Sequence, residues 1–307
     1  MRHVYGLQDI QIQDAWLTIG SYDGVHLGHQ QIIEQITAGA HHEGVPAVVL
    51  TFHPHPSIVL RGPRESFYLT LPEERAKLLG DMGVDLVITH PFDQEVANME
   101  PEAFLRRLHK NISFKYLWVG YDFALGRDRQ GDIPALKELG RQFDFRLHTI
   151  PAYHMDGQPV SSSRVRQALA EDDIATANRL LGRNFTISGK VIPGDGRGKT
   201  IGIPTANLEV STNRAVPGPG VYACWAIWQG NRYKAFTNIG VRPTFEDGPV
   251  APRVETHILD FEQDLYGESV GLEFVAFLRD EKKFNGADEL VTQIRADIEM
   301  GREILKK

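Results

Sequence analysis

The sequence predicts an α/β fold followed by a β fold in one chain. Three observations carry this. From Leu17 to Ile150, short apolar runs alternate with amphipathic helical stretches. From Phe185 to Leu278, the runs are β-rich and divided by Gly, Pro and Asn. The length of 307 residues suits two domains of the usual ~100–200 residues. Alternation of the first kind builds a parallel sheet with helices on both faces. Short strands at close spacing build an antiparallel barrel or sandwich.

The elements follow in order. Leu17–Gly20 is a short apolar strand ending in glycine. Gln30–Ala40 is a helix with Ile32, Ile33 and Ile36 on one face. Ala47–Phe52 is apolar nearly throughout, as in a strand buried on both faces. Glu73–Met82 is helical, with Leu78, Leu79 and Met82 apolar, and Leu86–Thr89 is a strand. Pro101–His109 is a helix whose proline sits in the first turn, where a missing N–H is harmless. Tyr116–Val119, Ile133–Phe143 and Arg146–Ile150 continue as strand, helix and strand. Arg164–Leu181 reads as one unbroken helix, stopped at Leu181-Gly-Arg-Asn184. Strands are then expected at Phe185–Val191, Val221–Trp228, Tyr233–Ile239, Val254–Leu259 and Leu272–Leu278. Ala287–Leu305 closes the chain as an amphipathic helix carrying Leu290, Ile294, Ile298 and Leu305. The change of pattern divides 1–183 from 184–307.

Composition excludes several classes. Hydrophobic residues are 42% and charged residues 24%, as in ordinary globular proteins. No run of ~18 apolar residues could span a bilayer, and Met1–Asp14 has no apolar core of a secretory signal. No membrane partner is expected. A single cysteine, Cys224, allows neither an internal disulfide nor a cysteine zinc cluster, and fits a reducing, cytoplasmic setting. The net charge is −7, from −5 over 1–183 and −2 over 184–307. Neither half is the basic module that binds nucleic acid by phosphate neutralisation. A few local donors still suffice for a small phosphorylated ligand. Oligomeric state has no signature in the sequence.

Gly20-Ser-Tyr-Asp-Gly-Val-His-Leu-Gly-His29 follows a strand and opens a helix. Ligands of open α/β sheets sit at the carboxyl ends of strands, and a helix N-terminus favours phosphate. His26 and His29 can donate hydrogen bonds to phosphate oxygens as charge develops, and Gly28 permits close approach. A glycine-rich turn with surface histidines has the same pattern. Val160-Ser-Ser-Ser-Arg-Val-Arg166 precedes a helix and offers either plain serine caps or a phosphate cradle. His53 and His55 alternate as metal ligands might on one strand face, but have no cysteine or carboxylate nearby, and Pro54 and Pro56 end the strand.

Together, His-x-Gly-His and Ser-Ser-Ser-x-x-Arg resemble the nucleotidyltransferase superfamily, which attacks the α-phosphate of a nucleotide and expels pyrophosphate. Gly20–Gln30, Thr51-Phe-His-Pro-His-Pro56, Val119–Gly131 and Ser161–Arg166 stand in the order of the adenylyltransferase module of bacterial bifunctional riboflavin kinase/FAD synthetases. That resemblance covers most of 16–182 and implies a Rossmann-like domain. It implies that His26 and His29 hold ATP phosphates, opposite Ser162, Ser163 and Arg166. It brings Gly20, Asp23, Gly28 and Asp122 to the ATP, and Phe52 and His55 to the flavin. Tyr22 stands where the family usually has Phe, Ser163 where it usually has Thr, and Ala124-Leu125 where Arg-Phe is frequent.

Gly194-Asp-Gly-Arg-Gly-Lys-Thr200 looks at first like a Walker loop. Pro193 occupies its first glycine position, and Ile201-Gly-Ile-Pro-Thr will not start a helix. It is therefore a glycine-rich loop on a β framework, able to nest phosphates or simply to turn. Gly202-Ile-Pro-Thr-Ala-Asn-Leu208, Gly220-Val-Tyr222, Asn238–Phe245, Val254–Phe261, Leu265-Tyr-Gly267 and Leu278–Phe284 resemble riboflavin kinases in register. This covers roughly 185–300 and implies a six-stranded antiparallel barrel with a C-terminal helix.

The resemblance implies that Gly194, Gly196, Gly198, Lys199 and Pro204 surround ATP, and that Thr205 and Asn207 hold Mg²⁺. It makes Glu255 the base toward the ribityl 5′-hydroxyl and places Arg279 and Phe284 in the segment closing over flavin. Lys199 stands where Arg is frequent and loses its fork. The expected substrates are riboflavin, FMN and ATP. A tRNA-charging relative and a flavin-binding regulator with one decayed site remain rival readings. The acidic balance speaks against the first. The presence of His26, His29, Thr205, Asn207 and Glu255 speaks against the second.

Overall fold

The protein is described by a computed structural model over residues 1–8, 10–194, 196, 198, 201–241 and 252–306. By contact the chain divides into two compact units. The first is Met1–Arg64 with Leu69–Ser162. The second is Glu65–Tyr68 with Ser163–Lys307.

The first unit is built on six parallel strands. They are β1 (Arg2–Tyr5), β2 (Ile12–Ile19), β3 (Ala47–His53), β4 (Leu86–Pro91), β5 (Ile112–Gly120) and β6 (Arg146–Ile150). Their spatial order is β1-β4-β3-β2-β5-β6. Between them run α1 (Leu27–His42), α2 (Pro56–Arg61), α3 (Pro72–Asp81), α4 (Gln94–Ala97), α5 (Pro101–His109) and α6 (Ile133–Phe143). Strand β3 shows why its sequence lacks alternation. Val48 and Leu50 pack with Leu105 and Leu108 of α5 and Leu136 of α6. Val49, pointing the other way, packs with Ile33 of α1 and Ala76 and Leu79 of α3. Both faces are covered, so Ala47–Leu50 is apolar without a break. A two-residue hairpin, β7 (His154–Met155) and β8 (Gln158–Pro159), follows the sheet.

Strand β1 and helices α2 and α4 were not expected. β1 is an edge strand of four residues with only partial burial, so its alternation is too brief to read. The expected single helix over Arg164–Leu181 is corrected to two, α7 (Ser162–Ala170) and α8 (Ile174–Leu181). Asp172 adopts φ 59°, and the Asp173 carboxylate caps α8 by accepting from Thr176 N at 2.9 Å. Short acidic side chains tolerate and cap such a break, which apolar periodicity does not reveal.

The second unit holds a closed antiparallel barrel. Its strands are β9 (Phe185–Ile192), β10 (Ala206–Glu209), β11 (Gly220–Trp228), β12 (Asn231–Val241), β13 (Pro252–Ile258) and β14 (Ser269–Arg279). They close in the order β10-β13-β12-β11-β14-β9. The six-stranded barrel is the one the resemblance implied; β10 was too short to read from its own pattern. Helix α9 (Ala287–Ile304) packs on the barrel through Ile298, and the following Leu305 lies against Phe236 and Leu259. Gly301 allows this approach, because a Cβ there would lie 2.2 Å from Phe236 Cε1.

Helices α7 and α8 belong with the barrel by specific bonds. The Tyr222 hydroxyl donates to Asp172 Oδ1 at 2.6 Å. Asn178 accepts from Phe185 N at 2.7 Å and donates to Phe274 O at 2.9 Å. Residues Glu65–Tyr68 join the same unit. Phe67 N and Tyr68 N donate to Asn213 O, and buried Arg214 donates to Tyr68 O and Thr186 O.

Candidate functional sites

The first site grows from the carboxyl end of β2. The chain turns there with Tyr22, Gly24 and Val25 at φ 48°, 82° and 42°. For a β-branched residue such as Val25 this costs about 1–3 kcal/mol and needs outside support. Support comes from below. The fully buried Asp23 carboxylate accepts from Leu69 N at 3.2 Å, Thr70 N at 3.0 Å and Thr70 Oγ1 at 3.2 Å. Buried Arg75 donates to Ser21 O at 2.7 Å and to Thr51 Oγ1 at 2.8 Å. Tyr22 and Val25 are buried against α1 and α3.

This loop delivers two imidazoles to the start of α1. His26 caps the helix, its Nδ1 accepting from His29 N at 3.3 Å. That leaves the ring proton of neutral His26 on Nε2. The His26 and His29 rings stack at 3.7 Å and 15°. Gly28 leaves room for the stack, since a Cβ would press to 3.3 Å on the His26 ring. Gly20 makes room for the Tyr22 ring, which a Cβ would meet at 2.9 Å. The Tyr22 hydroxyl bonds Thr18 Oγ1, and Thr18 in turn donates to Trp118 O at 2.7 Å. The extra oxygen at position 22 is thus buried and satisfied. Burial pushes its phenol well above the usual range.

The remaining predicted residues of this site divide. Asp122 is exposed just beyond β5, and its carbonyl accepts from Arg129 at 2.6 Å. Ser162 opens α7, its hydroxyl donating to Asp23 O at 2.8 Å. Ser163 is exposed. Arg166 donates from Nε to Phe67 O at 2.5 Å and lies 4.1 Å over the Phe67 ring. His55 caps α2 by accepting from Ser57 N at 3.0 Å. Phe52 is largely core, packed edge-on against Phe92 at 5.4 Å. Sequence reasoning missed Thr70 and Arg75. Arg75 lies among exposed charges in sequence, and only the tertiary fold turns it inward. Among the described residues there is no histidine, cysteine and carboxylate cluster that could hold a metal.

The second site is a cavity of ≈ 340 Å³ beside the barrel. The register of the strands explains its floor. On β13, Val254, Thr256 and Ile258 point into the barrel, so Arg253, Glu255 and His257 face outward together. Asn207 of β10 and Asn238 of β12 are the cross-strand partners of Glu255. The cavity collects the predicted Gly196, Gly198, Thr205, Glu255, Arg279 and Phe284. Gly194 sits against Asn207; a Cβ there would overlap its amide at 2.1 Å. Gly198 accepts from Ile203 N at 2.8 Å, turning the loop toward Pro204 and Thr205. Lys199 and the Arg242–Phe245 part of the expected motif lie outside the described residues.

Four further residues were not foreseen. His257 donates from Nδ1 to Pro204 O at 2.7 Å. Arg253 donates to Glu255 Oε1 at 2.6 Å. Asn238 donates to Glu281 Oε1 at 3.2 Å. Asp297 of α9, buried on the cavity wall, receives Arg279. The i, i+2 spacing on β13 was a usable signal for Arg253 and His257. For Asp297 there was none.

Two family models match the chain in succession. Residues 9–164 match the family model described as FAD synthetase, and residues 181–305 that described as riboflavin kinase. A bifunctional riboflavin kinase/FMN adenylyltransferase of Listeria monocytogenes is 35% identical, covering 95% of this chain and 92% of the relative. That of Bacillus subtilis is 36% identical, covering 92% and 89%. A crystal structure described as a macrolide-efflux protein from Streptococcus pneumoniae matches with TM-score 0.89 and 31% identity, covering 98% of this chain and 99% of that one. Among the described residues no helix is long and apolar enough to cross a membrane.

Fold and likeness define a two-part, ATP-using transferase: a parallel α/β unit matched by the FAD synthetase family model, and a barrel matched by the riboflavin kinase family model. The chain belongs to the family of bifunctional riboflavin kinase/FMN adenylyltransferases.

Proposed function

We propose that the cavity beside the barrel is the riboflavin kinase centre and that the Gly20–His29 loop is the FMN adenylyltransferase centre. The reaction sequence is phosphorylation of riboflavin to FMN, then adenylylation of FMN to FAD with release of pyrophosphate. The observation that carries the kinase assignment is the placement of Glu255 in one cavity with Gly196, Gly198 and Thr205. The modules are assigned to residues 1–183 and 184–307, in a cytoplasmic enzyme. Burial raises the thiol of Cys224 to about 12, which suits a cysteine with no part in the chemistry.

Phosphoryl transfer needs positioning and charge neutralisation more than covalent help. Glu255 takes the proton from the ribityl 5′-hydroxyl as that oxygen attacks the γ-phosphorus of ATP, and the bond from γ-phosphorus to the β–γ bridge oxygen breaks to release ADP. The glycine loop gives backbone N–H groups to the phosphates. Thr205 and Asn207 offer neutral oxygens of the kind Mg²⁺ prefers, and the exposed Thr205 hydroxyl lines the cavity, so these residues fit the ion. Bound there with ATP, Mg²⁺ would supply neutralisation of the phosphate charge. Phe284, Ile294 and Leu290 provide apolar wall for an isoalloxazine ring.

In the second step the FMN phosphate attacks the α-phosphorus and the α–β bridge oxygen leaves with pyrophosphate. No protein nucleophile is needed. His26 donates from Nε2 to phosphate oxygen, and the N-terminus of α1 adds its dipole. His29 is held beside it by the stack. Ser162, Ser163 and Arg166 add donors to the triphosphate. Asp23 acts beneath the loop, by holding its left-handed backbone.

Incubation with riboflavin and Mg-ATP, followed by chromatography of the flavins, tests this. FMN followed by FAD is expected. FMN alone would retain only the kinase assignment, unchanged riboflavin would overturn the kinase assignment, and no FAD from a parallel incubation with FMN and Mg-ATP would overturn the adenylyltransferase assignment.

A further inference from the structure

We propose that Arg253 is a positioning residue of the kinase centre, holding Glu255 in the rotamer that serves the ribityl hydroxyl. The inference deepens the kinase reading and rests on it. Arg253 and Glu255 stand two residues apart on β13 and therefore share its outer face. Their side chains are 31% and 22% exposed and joined at 2.6 Å, so the pair is only partly screened by water. Both line the cavity.

The pairing is selective. The cross-strand neighbours of Glu255, Asn207 and Asn238, are neutral amides. Of the other cations on the cavity wall, Arg279 is bound to Asp297 through Nε and Nη2, and Lys282 is exposed. Arg253 is the cation that the strand register places on Glu255. Its bond goes to Oε1 alone, and among the described residues Oε2 has no hydrogen-bonding partner. One oxygen is tethered while the other stays open to accept a proton. A carboxylate on an untethered side chain samples several rotamers, and a base displaced by an ångström loses rate steeply.

The test uses the full chain with Arg253→Met, Arg253→Lys, Glu255→Gln and the double variant Arg253→Met/Glu255→Gln. Kinase kcat and both KM values are measured with riboflavin and Mg-ATP, and FMN adenylylation is measured in the same preparations. Arg253→Met is expected to lower kinase kcat by about 10–100-fold, with KM for ATP within about 2-fold. Arg253→Lys should recover part of the loss. The double variant should be no slower than Glu255→Gln, because positioning matters only while the base is present. A circular dichroism spectrum and a melting temperature like those of the wild type show that the variants fold. Wild-type kcat in Arg253→Met beside an inactive Glu255→Gln overturns the proposal and leaves the kinase reading intact. A raised ATP KM at unchanged kcat also overturns it, making Arg253 a phosphate ligand instead. Full turnover by Glu255→Gln removes the base assignment and the proposal with it.

Discussion

Arg279 at the end of β14 grips Asp297 of α9 with Nε 3.0 Å from both carboxylate oxygens and Nη2 2.8 Å from Oδ2. The side chains are 14% and 5% exposed, and Gln293 donates to the same carboxylate at 2.9 Å. This bond ties the terminal helix to the strand across the segment that carries Phe284. Arg279 lines the cavity beside the barrel, and its guanidinium also holds the wall that carries Asp297.

Asp297→Ala should therefore cost about 3–5 kcal/mol, because it leaves a buried guanidinium uncompensated. Arg279→Leu with Asp297→Leu should be far less costly. Denaturant titration of both variants checks this. A loss below about 1 kcal/mol for Asp297→Ala would show that the pair is not a structural tie.

His29→Ala should lower FAD formation by about 10²–10³-fold and leave FMN formation unchanged. Glu255→Gln should do the reverse. Separate assays with FMN and with riboflavin decide it. Loss of both activities in either variant would contradict two separate centres.

Thr18 donates to Trp118 O, so the Tyr22 hydroxyl must be the donor in its bond to Thr18. Tyr22→Phe removes that donor and leaves Thr18 still paired with the carbonyl, for a cost of about 1 kcal/mol or less. Thr18→Val strands the buried Tyr22 hydroxyl and should cost about 1–3 kcal/mol. Thermal melts of the two variants give the order.

Burial lowers the pKa of His3, His53, His90, His109 and His148 below 6.5, all in the first unit. For His90 a bond to the Pro91 carbonyl offsets part of it. Below pH 6.5 the unfolded chain binds protons that the folded chain refuses, so stability falls as the pH falls toward the folded values. The first unit should unfold at lower temperature at about pH 5.5 than at about pH 7.5. His109→Gln, which removes one such group, should flatten the slope. Melts across this range that show no dependence would contradict the burial of these rings.

A fragment 163–307 should melt higher than 185–307. The shorter piece leaves the buried Tyr222 hydroxyl without Asp172, and Phe185 N and Phe274 O without Asn178. Equal melting temperatures would show that α7 and α8 add nothing to the barrel.

The alternation of strands and helices, the change to β pattern near 184 and the histidine pair at a helix start were all legible in the sequence. Local physics determines them: burial on one or two faces sets the period, and Pro101 suits the first turn of a helix by its own backbone. What the motif at Gly20–His29 could not show was its foundation. Arg75 and Thr70 support that loop from some 50 residues away, and no local pattern encodes a partner at that distance. The break at Asp172 was hidden because apolar periodicity does not register the Asp173 cap, and the Tyr222 hydroxyl that Asp172 meets lies on a distant strand. Strand register alone could be read far enough to place Glu255 outward, with Arg253 and His257 beside it. Which groups those side chains meet depended on closing the barrel and laying α9 across it. The sequence by itself determined the two fold patterns and the glycine, histidine and carboxylate motifs they carry. Tertiary structure decided which of those residues line a cavity and which, like Asp23, are bound into the frame, because burial and pairing arise only when distant segments meet.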